Sequence, residues 1–268
     1  MRRAVLLLMG ISFLTGCVSG DAKEFIREQD VKDYIEEEII RLGEEDYGLT
    51  LVPDTEEMKF GFQNGIPLRD ENKVSVPVKV KGDPVFKFQA IVLLEDNSEN
   101  KKEIQTIDVA GEYGKGLKDF GGFLLAELFK KKHEKVWKQI EGLESGIKVD
   151  QIEVLAKTSA YIEDPQEEES IVRNISEDYK EGEFSNIQKY EELMEKYLYE
   201  GNESLERGYL PEISISIEPS FNSTAQETFD KVVAFLQESD HLPKGEYSVS
   251  YYKSTNGGES LHELIFVE

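Results

Sequence analysis

Lys73-Val74-Ser75-Val76-Pro77-Val78-Lys79-Val80-Lys81 alternates four valines with polar residues and one proline. Successive side chains of a strand point to opposite faces, so the valines face one way and Lys73, Ser75, Lys79 and Lys81 the other. This is the pattern of a half-buried strand in an antiparallel sheet. Pro77 lacks a backbone donor, which predicts an edge position. Gly82-Asp83-Pro84 then turns the chain into a second strand, Val85 to Leu94, continuously apolar from Ala90. A polar loop, Asp96 to Lys102, leads to a third strand, Ile104 to Val109. On the N-terminal side, Val31, Ile35, Ile39 and Leu42 recur at helical spacing opposite Glu36, Glu37 and Glu38. They predict a helix from about Glu24 to Leu42, stopped by Gly43, with a short strand at Thr50 to Val52.

Beyond the third strand, Gly111 to Gly116 leads into one long helix in which Leu117, Phe120, Leu124, Leu128, Val136 and Ile140 share a face. Its Gly121-Gly122 pair costs about 1 kcal/mol per glycine relative to alanine, which predicts close packing or a later helix start. Residues 24–146 thus read as an α+β lobe. Residues 147–268 read as a second one. They offer a strand near Val149 to Tyr161, an acidic segment 163–183 (solvated helix or linker) and a helix from Ile187 to Tyr199. Ile213, Ile215 and Ile217 then alternate with serines, a helix follows the capping pattern Ser223-Thr224-Ala225-Gln226-Glu227, and strands run around Tyr247 to Tyr251 and Leu261 to Val267. The fold class is α+β: two small lobes, each a mostly antiparallel sheet packed with helices.

The 268 residues carry 31 basic and 55 acidic side chains, a net charge of −24. Such a polyanion does not bind nucleic acid through its phosphates. With 10% aromatics and recurrent Val/Ile runs, the chain buries too much apolar surface to stay disordered. One cysteine excludes an internal disulfide and a cysteine-built metal site.

That cysteine follows a telling start. Met1-Arg2-Arg3 is basic, and Ala4 to Phe13 is an apolar run of about ten residues interrupted by Gly10 and Ser12. A helix needs roughly 20 apolar residues to span a bilayer, so the run fits a secretory signal instead. Leu14-Thr15-Gly16-Cys17 follows directly and resembles the lipobox of bacterial lipoproteins. The resemblance implies a diacylglyceryl group on the Cys17 sulfur and cleavage before it. Residues 1–16 are then a signal peptide and 17–23 a lipidated tether, with the mature chain held extracytoplasmically on the cell membrane, as with other lipid anchors. The processed chain keeps 29 basic against 55 acidic residues, which predicts a body standing off from an anionic leaflet.

Several chemistries are nearly present. His133-Glu134 and His262-Glu263 begin a zinc-protease helix, but Trp137 and Phe266 occupy the positions of its second histidine. Gly258-Glu259-Ser260-Leu261-His262 begins a nucleophile elbow without the closing glycine. Gly111 to Gly116 resembles a phosphate loop but is followed by Leu117-Lys118 rather than Lys-Ser/Thr. Asp96-Asn97-Ser98-Glu99-Asn100 lacks the Gly and terminal Glu of an EF-hand loop. Tyr190, Tyr197, Tyr199, Tyr209, Tyr251 and Tyr252 offer ligand-facing rings, although their spacing favours the core. Lys130, Lys131, Lys132, Lys135 and Lys138 form the one basic run, a candidate patch for acidic wall polymer or lipid headgroups.

The stretch from Val74 through Gly82-Asp83-Pro84-Val85-Phe86, Ala90-Ile91-Val92 and Gly111 to Gly121-Gly122-Phe123 resembles a family of Gram-positive lipoproteins that carry a domain of unknown function. That resemblance implies location and fold class and assigns no activity. The sequence therefore reads as a membrane-anchored, non-catalytic binding or interaction module without cofactor or metal, whose partner is an envelope protein or wall polymer. A cell-envelope hydrolase and the solute-binding lipoprotein of a transporter are the alternatives. Three strands in succession count against the latter.

Overall fold

The computed structural model describes residues 18–62, 69–144, 147–159, 165–199, 209–217, 225–252 and 260–267. Residues 1–17, which include the expected signal peptide and Cys17, lie outside them. The chain divides into two compact units at Lys118/Asp119. This is earlier than the expected division near residue 146.

The first unit is a five-stranded antiparallel sheet with two helices, α1 (Gly20–Phe25) and α2 (Gln29–Asp46). Its strands are β1 (Leu51–Pro53), β2 (Lys59–Phe62), β3 (Arg69–Val80), β4 (Lys87–Asp96) and β5 (Lys102–Asp108). Val74, Val76 and Val78 of β3 sit opposite Val92, Ala90 and Phe88 of β4, and all six are buried. Burying a valine fully stabilises by about 1.5–3 kcal/mol, so this one apolar face anchors the unit. Ile35 and Ile39 of α2 are fully buried in the same core.

Three local expectations change. Strand β3 is central rather than an edge: β1 and β2 pair with one side and β4 with the other. The Pro77 carbonyl accepts from the Asp54 amide at 2.8 Å, so its donor-less nitrogen faces that same side. There β1 has ended at Pro53 and β2 has not begun, and no ladder bond is lost. Gly43 does not stop α2. It lies buried within the helix, where a Cβ would collide with the Leu51 side chain. The expected tether is part of the fold, since Ser19 caps α1 by accepting from the Ala22 amide at 3.2 Å, and Val18 and Ala22 are buried.

The second unit holds α3 (Phe120–Lys132), α4 (Glu134–Leu143), α5 (Pro165–Lys180), α6 (Tyr190–Tyr197) and α7 (Ala225–Gln237). Its sheet has the order β6 (Ile147–Glu153), β7 (Tyr209–Ile217), β8 (Gly245–Tyr252), β9 (Ser260–Val267). Strands β7 and β8 run parallel across the α7 crossover, and the other pairs are antiparallel. Tyr247, Val249 and Tyr251 of β8 share one fully buried face, as their alternation requires.

Helix α3 explains where the chain divides. Phe120, Leu124, Leu125, Leu128 and Phe129 are buried around much of its circumference, the signature of a helix inside a core rather than on a sheet. A Cβ on Gly121 would lie 2.9 Å from Ile175, and one on Gly122 would strike the Val154 carbonyl oxygen. The glycine pair therefore marks close approach within the second unit. The expected single helix breaks at His133, which caps both α3 and α4. The acidic segment is mostly helix α5, held by buried Ile175, Ser176 and Tyr179.

Candidate functional site

A cleft of about 650 Å³ opens on the first unit. Its floor comes from Val18 just ahead of α1, Ile26 just after it, and Phe60 on β2, all buried. Its rim is cationic. Lys23 and Arg27 are exposed on and just beyond α1, Lys59 and Arg69 are exposed on β2 and β3, and half-buried Lys32 comes from α2. Glu56 is the one lining carboxylate. Five cations against one anion reverse the balance of a chain with 31 basic and 55 acidic residues.

Two of these cations are committed within the unit. Lys32 pairs with Glu56 at 2.7 Å. Arg69 donates to the Phe60 carbonyl and lies 4.2 Å from the centre of the Phe62 ring. Lys59 sits 3.5 Å from Glu57, an exposed pair worth little. Lys23 and Arg27 have no ion pair among the described residues.

The entry of the chain into this site is fixed. The Ser19 amide donates to Glu71 Oε2 at 3.2 Å. That bond, together with the Ser19 side chain and the nearby Lys102 ammonium, holds the Glu71 carboxyl below its ordinary range. Lys102 is itself buried, 3.7 Å from Glu71, 3.0 Å from Asp96 and 2.7 Å from Asn72 Oδ1. Val18, bonded to Cys17, is thus built into the folded body rather than leading to it.

The five lysines singled out in the sequence are all exposed, but three are engaged within the second unit. Lys131 donates to the Ser185 carbonyl at 2.8 Å, Lys132 lies 3.7 Å from Glu191 and 5.1 Å from the Tyr190 ring centre, and Lys138 pairs with Glu134. No side-chain partner holds Lys130 or Lys135 among the described residues.

The near-motifs have local explanations. Asp108 accepts from the Gly111 and Tyr113 amides at 2.9 and 3.1 Å, so the glycine loop already cradles an internal carboxylate where a phosphate would sit. Gly111 adopts φ +104°, which requires glycine. Asn97 Oδ1 accepts from the Glu99 and Lys101 amides, tying the acidic loop into a β4–β5 turn. Tyr190, Tyr197 and Tyr251 are core rings, while part of Gly258 to His262 lies outside the described residues. His133 is buried and His262 exposed. Among the described residues no three His, Cys, Asp or Glu side chains gather as metal ligands, and no helix is long and apolar enough to cross a membrane.

The cleft was not visible in the sequence. Its cations are spread from Lys23 to Arg69 over four elements, and no local run announces them.

No protein-family model and no curated protein matches the chain. Among solved structures it is similar to the crystal structure of a DUF5037 family protein from Ruminococcus gnavus ATCC 29149. That similarity has 14% identity and a TM-score of 0.30, over 83% of this chain and 74% of that one.

Proposed function

We propose that this chain is a lipoprotein, anchored by a lipid on Cys17 to the extracytoplasmic face of the cell membrane. Its two-unit α+β body acts there as a non-catalytic binding or interaction module for an envelope protein or wall polymer. The observation that carries this reading is the sequence Leu14-Thr15-Gly16-Cys17, followed at once by buried Val18 and the Ser19 cap of α1. A lipid at Cys17 would then hold the first unit against the bilayer with no spacer, whereas seven free residues would have allowed about 25 Å of reach. Cys17→Ala should abolish metabolic labelling with a fatty acid and move the protein out of the membrane fraction. Labelling that persists in the variant would exclude this attachment.

A further inference from the structure

We propose that the cationic cleft of the first unit binds the phosphate headgroup of an anionic phospholipid, drawn from the leaflet that holds the anchor; this rests on lipid attachment at Cys17. Charge is the first support. Five cations line the cleft against one carboxylate, and Lys23 and Arg27 have no ion pair among the described residues, so their charge is open to a ligand. The chain as a whole is strongly anionic, and a local excess of cations on it concentrates anions there rather than elsewhere on the body. The second is shape. Buried Val18, Ile26 and Phe60 form an apolar part of the floor beneath the exposed rim. An anion seated on such a floor is screened less by water, and its attraction to Lys23, Arg27 and Lys59 rises accordingly.

The third support is position. Val18 lines the cleft and is covalently joined to Cys17, and adjacent Cα atoms are about 3.8 Å apart. A lipid on Cys17 would thus be attached one residue away in sequence from a cleft-lining side chain, and would bring headgroups of the same leaflet near the cleft. Free phosphate has the same chemistry, but the anchor holds lipid headgroups beside the cleft at high effective concentration. The body then has one attractive face toward the membrane despite its net charge, and rotation about the anchor is restrained.

The test uses the purified lipidated protein in neutral detergent, titrated calorimetrically with dihexanoyl phosphatidylglycerol, dihexanoyl phosphatidylcholine and inorganic phosphate. The phosphatidylglycerol is expected to bind once per chain, at least tenfold more tightly than the other two, and more weakly as salt is raised. A basic side chain at an anionic surface contributes roughly fivefold in affinity. Lys23→Glu with Arg27→Glu, both exposed, should weaken binding at least tenfold without altering the circular dichroism spectrum. Lys59→Glu alone, on a different element, should weaken it several-fold and covers the case of misfolding in the double variant. Equal affinity for the two lipids, or affinity unchanged in the folded variants, overturns the site. Phosphate binding as tightly as phosphatidylglycerol overturns the lipid as its source. The intact mass of the same preparation keeps the two ideas apart, because a missing lipid on Cys17 defeats the anchor whatever the titration shows.

Discussion

His133 shows what burial does to one titratable group. Its Nδ1 lies 2.9 Å from the His241 carbonyl oxygen, which can only accept, so Nδ1 carries the proton. Nε2 then accepts from the Tyr190 hydroxyl at 3.4 Å, and the ring packs 4.6 Å from Phe129. Both contacts are satisfied by the neutral imidazole. Burial, with Lys132 adding to it, holds the pKa below the ordinary 6.5, against the opposing pull of the His241 carbonyl and Glu191. The unfolded chain therefore binds the proton first as pH falls, and stability is lost from about pH 6.5 downward toward the folded pKa. Proton NMR should find the His133 ring titrating below 6.5. Denaturant unfolding should show stability decreasing from pH 7 to 5, with a shallower decrease in His133→Gln. A His133 ring titrating at or above 6.5 would contradict this. The sequence placed His133 among lysines at a helix end, and the helix end is real. Its burial was not readable, because His241, Tyr190 and Phe129 come from distant parts of the chain.

The two glycines of different helices make opposite predictions. Gly122 on α3 faces the Val154 carbonyl oxygen so closely that a Cβ cannot be accommodated without backbone movement, while nothing lies within 4 Å of a Cβ on Gly142 of α4. Alanine is preferred to glycine in a helix by about 1 kcal/mol. Gly142→Ala should thus raise stability by about 0.5–1 kcal/mol. Gly122→Ala should lower it by about 1–3 kcal/mol, the range for forcing extra volume into a packed site. Urea unfolding midpoints check both, and a stabilised Gly122→Ala would refute the close approach of α3 to Val154. The periodicity of Val74 to Val80 disclosed β3 because a strand with one buried face must alternate. It did not disclose that β3 is central, since the side to which Pro77 turns its nitrogen depends on where β1 ends. The break at His133 was hidden for a similar reason: Leu128, Val136 and Ile140 keep their apolar spacing across it.

The whole molecule is a polyanion with its charges unevenly placed. With 31 basic against 55 acidic residues in the chain, repulsion among like charges opposes compactness. Raising salt from 0.01 M to 0.2 M shortens the screening distance from about 30 Å to under 10 Å. Thermal melting should then rise by roughly 2–4 °C, the shift that about 1 kcal/mol produces in a domain of this size. A melting temperature that falls with salt would mean that attractive pairs outweigh the repulsion. Net charge alone suggested a body standing off from an anionic leaflet. Around the cleft beside Val18 the balance of charge is locally the opposite, through cations from four elements that only folding brings together. The α+β class, by contrast, was legible throughout, because it depends on the order of strands and helices and each element's periodicity is local. The proposed lipid anchor depends on the chemistry of residue 17, and intact-mass analysis of the native protein from its own cells tests it most directly. The expected mass is that of a chain beginning at Cys17 and heavier by a diacylglyceryl group, with or without a further acyl chain. A native chain that keeps Met1, or one that begins at Cys17 with an unmodified sulfur, would contradict it.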